Sequence, residues 1–169
     1  MSYSITYTKE KGNTELLART VLEVLNKEDV TYFGDVSEEA KKNDTIFVGF
    51  WTDKGVCDQK NIDFLKTLHG KKIFLFGSCG FGLSQEYFDE ILKRSKAFIS
   101  DDNEIIGTFI CVGKMKMAVR ERYGKLFNIP GADTAKIQTM IDNFDEALKH
   151  PDELDLNRLK ASVLSSITK

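Results

Sequence analysis

The 169-residue chain has no excess of either charge: 24 Lys and Arg stand against 26 Asp and Glu, net −2. A nucleic-acid footprint, which requires a basic excess, is therefore not expected. Long hydrophobic runs are missing too. A bilayer-spanning helix needs roughly 20 apolar residues, and the densest stretches, around Lys72–Phe76 and Ile105–Val112, are strand-sized. The opening residues Met1-Ser2-Tyr3-Ser4-Ile5 carry neither the basic region nor the apolar run of a secretory signal, so a soluble, cytoplasmic protein is expected. There are only three cysteines, Cys57, Cys79 and Cys111, with no CxxC pair, and the two histidines, His69 and His150, lie near none of them in sequence. That excludes the usual zinc spacings and a disulfide framework, and reads as reduced thiols used as small hydrophobes. With two prolines and no linker composition, one domain is expected over residues 1–169, with an α/β core over 1–127 and a C-terminal helical extension over 128–169.

What the chain does contain is a regular alternation of patterns. Tyr3–Thr8 is β-rich and is followed by a helical pattern over Asn13–Leu25, with Leu16, Leu17, Val21 and Leu25 on one face. Val30–Phe33 reads as a second strand. Thr45–Phe50 and Lys72–Gly77 are near-continuous apolar runs, as expected of strands covered on both faces. Helical patterns cover Asp58–Leu68 and Ser84–Lys93, and Ile105–Val112 is the last strand. Three further helical patterns follow: Met115–Phe127 (Met115, Val119, Tyr123 and Leu126 on one face), Thr134–Lys149 and Asp155–Ile167. Strand–helix alternation implies right-handed crossovers and a parallel sheet. The expected fold is α/β, a doubly wound five-stranded parallel sheet with additional C-terminal helices. Such sheets bind ligands beyond the carboxyl ends of their strands.

Three loops fall there. The first, Thr8-Lys9-Glu10-Lys11-Gly12-Asn13-Thr14, runs from a strand straight into a helix; the unpaired N–H groups of a helix start suit a phosphate. It is neither a Walker loop nor a GxGxxG dinucleotide turn. The second, Gly49 to Asp58, carries Trp51, the only tryptophan, followed by the polar turn Thr52-Asp53-Lys54-Gly55; an indole at a ligand edge suits stacking on a flat ring. The third, Gly77-Ser78-Cys79-Gly80-Phe81-Gly82-Leu83-Ser84, combines three glycines with a phenylalanine. Phosphate at one helix start and aromatics on two neighbouring loops describe a phosphorylated planar cofactor, the shape of flavin mononucleotide (FMN).

The chain resembles the flavodoxins, whose first loop typically reads Ser/Thr-x-Thr-Gly-x-Thr; the match is Gly12-Asn13-Thr14. It is more closely similar to small bacterial flavodoxin-like proteins, the group that includes the companion of bilirubin reductase. The matching segments are Gly49-Phe50-Trp51-Thr52-Asp53-Lys54-Gly55, Phe76-Gly77-Ser78-Cys79-Gly80, Gly107-Thr108-Phe109-Ile110-Cys111-Val112-Gly113-Lys114 and His150-Pro151-Asp152-Glu153-Leu154-Asp155. The resemblance implies sheet order 2-1-3-4-5, non-covalent FMN and electron transfer with a partner reductase. It assigns Thr8, Lys9, Lys11, Gly12, Asn13 and Thr14 to the phosphate. It assigns Trp51, Thr52, Asp53, Lys54 and Gly55 to one side of the isoalloxazine, and Ser78, Cys79, Gly80 and Phe81 to the other side and the pyrimidine edge. Two departures stand out. Lys9 and Lys11 occupy positions where the family often has hydroxyls, and the charge of −2 is mild beside the usual strong acidity.

No catalytic residue and no metal ligand set is expected, so the reading is an electron carrier or accessory subunit. Two alternatives stay open: a stand-alone NAD(P)H-dependent flavin reductase, and a flavodoxin-shaped module that has lost FMN. Cys57 and Cys79 are read as packing residues, and His69 and His150 as capping or surface residues. Lys114, Lys116, Arg120, Arg122 and Lys125, against Glu121 alone, form a basic segment that reads first as a solvated helix face and second as a docking patch for an acidic partner.

Overall fold

Strands β1 (Tyr3–Tyr7), β2 (Val30–Gly34), β3 (Thr45–Asp53), β5 (Lys72–Cys79) and β6 (Glu104–Val112) form a parallel sheet in the order β2-β1-β3-β5-β6. This computed structural model describes residues 1–10, 12–82 and 84–168. The main-sheet order is the expected one, and six helices accompany it: α1 (Gly12–Val24), α2 (Gln59–Leu65), α3 (Gln85–Lys96), α4 (Met117–Leu126), α5 (Thr134–Ala147) and α6 (Glu153–Ile167).

A sixth strand was not expected. Val56–Cys57 (β4) pairs antiparallel with the end of β3, Thr52 opposite Cys57 and Asp53 opposite Val56. The two residues between, Lys54 and Gly55, have φ of 51° and 83°, the left-handed pair that closes a two-residue hairpin. What reads in sequence as an open loop is therefore a hairpin extending β3 beyond the sheet.

The central strands are buried on both faces, and their side chains divide with period two. Ile46, Val48, Phe50, Ile73 and Leu75 join Ile62, Leu65 and Ile91 of α2 and α3 on one side. Phe47, Phe74 and Phe76 join Leu17 and Val21 of α1 and Leu159 and Val163 of α6 on the other. Each of the fully buried rings Phe47, Phe50, Phe74 and Phe76 contributes about 1.5–3 kcal/mol of hydrophobic stabilisation. Helix α6 thus covers one face of the sheet itself, together with α1. The segment inserted between β6 and α6 is α4 and α5. One inner-face residue read from helical periodicity, Leu16 of α1, is exposed.

Near the site the sheet tightens over two glycines. Gly49 lies opposite Phe76 and Phe50 opposite Gly77 in register. A Cβ on Gly49 would fall 2.6 Å from the Phe76 ring, and one on Gly77 2.5 Å from the Phe50 ring. Each ring therefore lies flat over the neighbouring strand's glycine, one on each face. Gly77→Ala is expected to cost about 1–3 kcal/mol, because the added Cβ would collide with the buried Phe50 ring. Urea denaturation checks this; a loss under about 0.5 kcal/mol would show that the ring moves aside freely.

Candidate functional site

A cavity of about 770 Å³ opens beyond the carboxyl ends of β1, β3 and β5, within the ~300–1,000 Å³ range of small-molecule and cofactor sites. Five pieces of chain build its wall. The start of α1 gives Glu10, Gly12 and Asn13; the β3–β4 hairpin gives Trp51 through Gly55; the turn after β5 gives Ser78 through Phe81; and Gly113 through Tyr123, leading into α4, close it together with Tyr87. The register aligns Trp51 with Ser78, and Thr52 Oγ1 donates to the Ser78 carbonyl at 2.9 Å, so the hairpin and the glycine turn are joined at their roots.

Of the residues singled out in the sequence, the structure brings Gly12, Asn13, Trp51, Thr52, Asp53, Lys54, Gly55, Ser78, Cys79, Gly80 and Phe81 together on this wall. Lys9 is exposed and off it, and Lys11 lies outside the described residues. Thr8 sits beneath the cavity, 1% exposed, its hydroxyl donating to Asp58 Oδ2 at 3.2 Å. Thr14 is fully buried in the first turn of α1.

Beneath the wall is a buried polar knot that sequence spacing does not reveal. Asp58 caps α2, accepting from the Asn61 amide at 3.2 Å through Oδ1. Its Oδ2 accepts from Thr8 Oγ1, from the Trp51 amide at 3.3 Å and from Asn61 Nδ2 at 2.8 Å. Asn61 Nδ2 also reaches the Gly49 carbonyl at 3.0 Å. The first loop, the strand carrying Trp51 and helix α2 are thus held by one carboxylate, 2% exposed.

The α4 side of the wall is also absent from the sequence reading. Met115, Val119 and Tyr123 share a helical stripe that reads as core, yet α4 buries no residue; the stripe faces the cavity. The segment is fastened by Asn13 Nδ2 donating to the Lys114 carbonyl (2.8 Å) and the Gly113 amide to the Cys79 carbonyl (2.9 Å), while Asn143 Nδ2 of α5 donates to the Gly80 carbonyl of the turn after β5 (3.3 Å). Within the basic segment, Arg120 points away to form a two-pronged pair with Asp145 at 2.7 and 3.1 Å. That hydrogen bonding, with the guanidinium charge, holds the Asp145 carboxyl below the usual range.

The thiols are quiet. All three are free and buried. Burial pushes Cys57 up to about 11 and Cys79 up to about 12, and it raises Cys111 too. At neutral pH each stays protonated, and only Cys79 lies on the cavity wall, as a small packing group.

The return from α5 to α6 is anchored at Asp155, 3% exposed. Its Oδ2 accepts from the Asp152 amide at 2.9 Å and lies 2.6 Å from His150 Nδ1, while Oδ1 accepts from Arg158. Donors therefore occupy both oxygens, and the proximity of His150, Asp152 and Asp155 is explained by the cap of α6. Burial opposes ionisation of Asp155, but the bonds from His150, Asp152 and Arg158 outweigh it and leave the carboxyl below its ordinary value. A depressed carboxylate stabilises the fold above the unfolded-state value, near pH 4, and loses that contribution as pH falls through the lower folded value. The melting-temperature gap between the wild-type protein and Asp155→Asn is expected to be full at neutral pH and to close below about pH 4; a gap independent of pH would refute this.

The residues present fit a phosphorylated flavin. Among the described residues, the Thr14 hydroxyl and Asn13 Oδ1 are buried without a hydrogen-bond partner. They lie at the start of α1, where helix N–H groups favour an anion. Indole, phenyl and phenol side chains of Trp51, Phe81, Tyr87 and Tyr123 stand on the wall.

Known proteins agree with this architecture. The family model described as flavodoxin domain matches residues 4–164. The chain belongs to the flavodoxin family. It is 32% identical over 160 residues to the flavodoxin-like domain-containing protein BilS of Clostridioides difficile strain CD3, covering 92% of this chain and 90% of that protein. To the protein of the same name from Clostridium symbiosum strain WAL-14163 it is 32% identical over 185 residues, covering 99% and 96%. The fold of a flavodoxin from Streptococcus pneumoniae TIGR4 superposes with a TM-score of 0.61 at 18% identity, covering 99% of both chains. Membership of the family supports a flavin-binding, electron-transfer fold for this flavodoxin domain. No helix among its described residues is long and apolar enough to cross a membrane.

Proposed function

We propose that this flavodoxin domain binds FMN non-covalently and exchanges electrons with a partner reductase, acting as a carrier or accessory subunit in the cytoplasm and folding as one domain over 1–169. The observation that carries the reading is the cavity itself: its wall joins the start of α1 to an indole-bearing hairpin at the carboxyl ends of the central strands. Bound FMN would supply the electron chemistry, and the protein's part is to hold and orient it. Gly12, Asn13 and Thr14 offer amides and a hydroxyl to the phosphate, with Lys114 on the same wall as the nearby cation. Trp51 through Gly55 flank one side of the ring, and Ser78 through Phe81 flank the other. Lys54-Gly55 sits at a hairpin tip whose peptide can turn toward the ring, because glycine tolerates either sign of φ.

Adding FMN to the purified protein is the test. A yellow protein with a flavin spectrum that keeps its colour on addition of NAD(P)H supports the carrier. Bleaching by NAD(P)H alone indicates a stand-alone reductase, and a protein that stays colourless indicates a module that does without flavin.

A further inference from the structure

We infer that the exposed face of α4 beside the cavity mouth is a docking surface for the acidic face of a protein partner. The inference rests on the flavin reading only in making the cavity the place where a redox partner must come close. Segment 114–125 holds five cations and one acid in a chain of net −2, so the remainder is net −6. The molecule is thus polarised, and its positive pole lies at the cavity. Arg120 is spent on Asp145. Lys116 and Arg122 are exposed on the cavity wall, and among the described residues they make no ion pair with any carboxylate.

Helix α4 is also set apart by its packing. It is the one α-helix, among those described, that buries no side chain. Its first residue, Met117, is 54% exposed, and Phe81 on the same cavity wall is 43% exposed. Uncompensated cations with apolar side chains among them give both halves of a protein-docking surface: long-range attraction that speeds and orients encounter, and contact area once docked. An acidic partner is favoured over an anionic membrane. The helix has only ten residues, and its apolar Val119 and Tyr123, with Met115 just before it, line the cavity rather than form an outward, lipid-facing stripe.

The test titrates the isotope-labelled full chain with an amphipathic Glu/Leu peptide and follows the backbone amides by NMR. Shifts are expected to concentrate on residues 114–127 and around Phe81, with affinity falling by about tenfold from low to physiological salt. Arg122→Glu and Lys116→Glu are each expected to weaken binding severalfold, and the pair to abolish it. Lys72→Glu, an equal charge change at the opposite end of the sheet, and Arg122→Lys are expected to bind as the wild type does. No peptide binding, shifts centred elsewhere, or equal loss from Lys72→Glu would overturn the proposal. So would sedimentation with phosphatidylserine vesicles in place of peptide binding. Because amides report the contact with or without flavin, a protein that takes no FMN but binds peptide at α4 would sink the flavin reading alone.

Discussion

Asp58→Ala is expected to remove about 3 kcal/mol of stability and to weaken FMN binding along with it. The carboxylate is 2% exposed and accepts four hydrogen bonds, from Thr8, Trp51 and both nitrogens of Asn61. Losing a helix cap costs about 0.5–2 kcal/mol, and each buried donor left unsatisfied costs about 1–3 kcal/mol more, less whatever local relaxation and water recover. The effect on binding follows from geometry. The same carboxylate fixes the amide of Trp51 and the hydroxyl of Thr8, so its loss loosens two edges of the cavity at once. Asp58→Asn keeps one acceptor oxygen but sets its own NH₂ against donors, so an intermediate loss is expected. Urea unfolding with an unchanged slope is the measurement. A loss below about 1 kcal/mol for Asp58→Ala would mean that the knot carries little of the stability assigned to it.

The second large effect is expected at Trp51. Replacing it by alanine removes the indole from the cavity wall without disturbing the buried strand residues below, since Trp51 itself is only partly buried. Stacking of a base on an aromatic side chain is worth about 1–3 kcal/mol, which corresponds to roughly a 5–150-fold weaker Kd for FMN. Trp51→Phe keeps a π-face and is expected to recover most of the loss. Fluorescence titration distinguishes stacking from collapse when paired with a melting curve. Unchanged affinity in Trp51→Ala would remove the indole from the site.

Much of the architecture could be read from the chain because both central strands are covered on two faces. Thr45–Phe50 and Lys72–Gly77 are unbroken apolar runs for that reason, and strand–helix alternation points to a parallel sheet; the strand order, which the structure has, follows from the resemblance to the flavodoxins and not from the pattern. Trp51 and the Gly77–Gly82 turn were legible because ligand loops must follow strand ends. The remainder depends on distance in sequence. Thr8, Asp58 and Asn61 meet across some fifty residues, so Thr8 reads as a loop hydroxyl and only the fold shows it committed below the cavity. Met115, Val119 and Tyr123 have the period of a core-facing stripe, and nothing local tells a core from a cavity wall. The β3–β4 hairpin did leave a trace, a glycine at the second turn position, but Lys54 with positive φ is a weak turn signal. Sequence order alone places α6 with the helices before it; only the fold brings its Leu159 and Val163 onto the face shared with α1.

Binding of FMN compared with riboflavin, measured by flavin fluorescence quenching on the same protein, bears on the whole reading at once, since the two ligands differ only in the phosphate. Seating an anion at the start of α1 beside the unpartnered Thr14 hydroxyl requires FMN to bind at least about tenfold tighter than riboflavin. Equal affinity for the two, or no quenching by either, would contradict it.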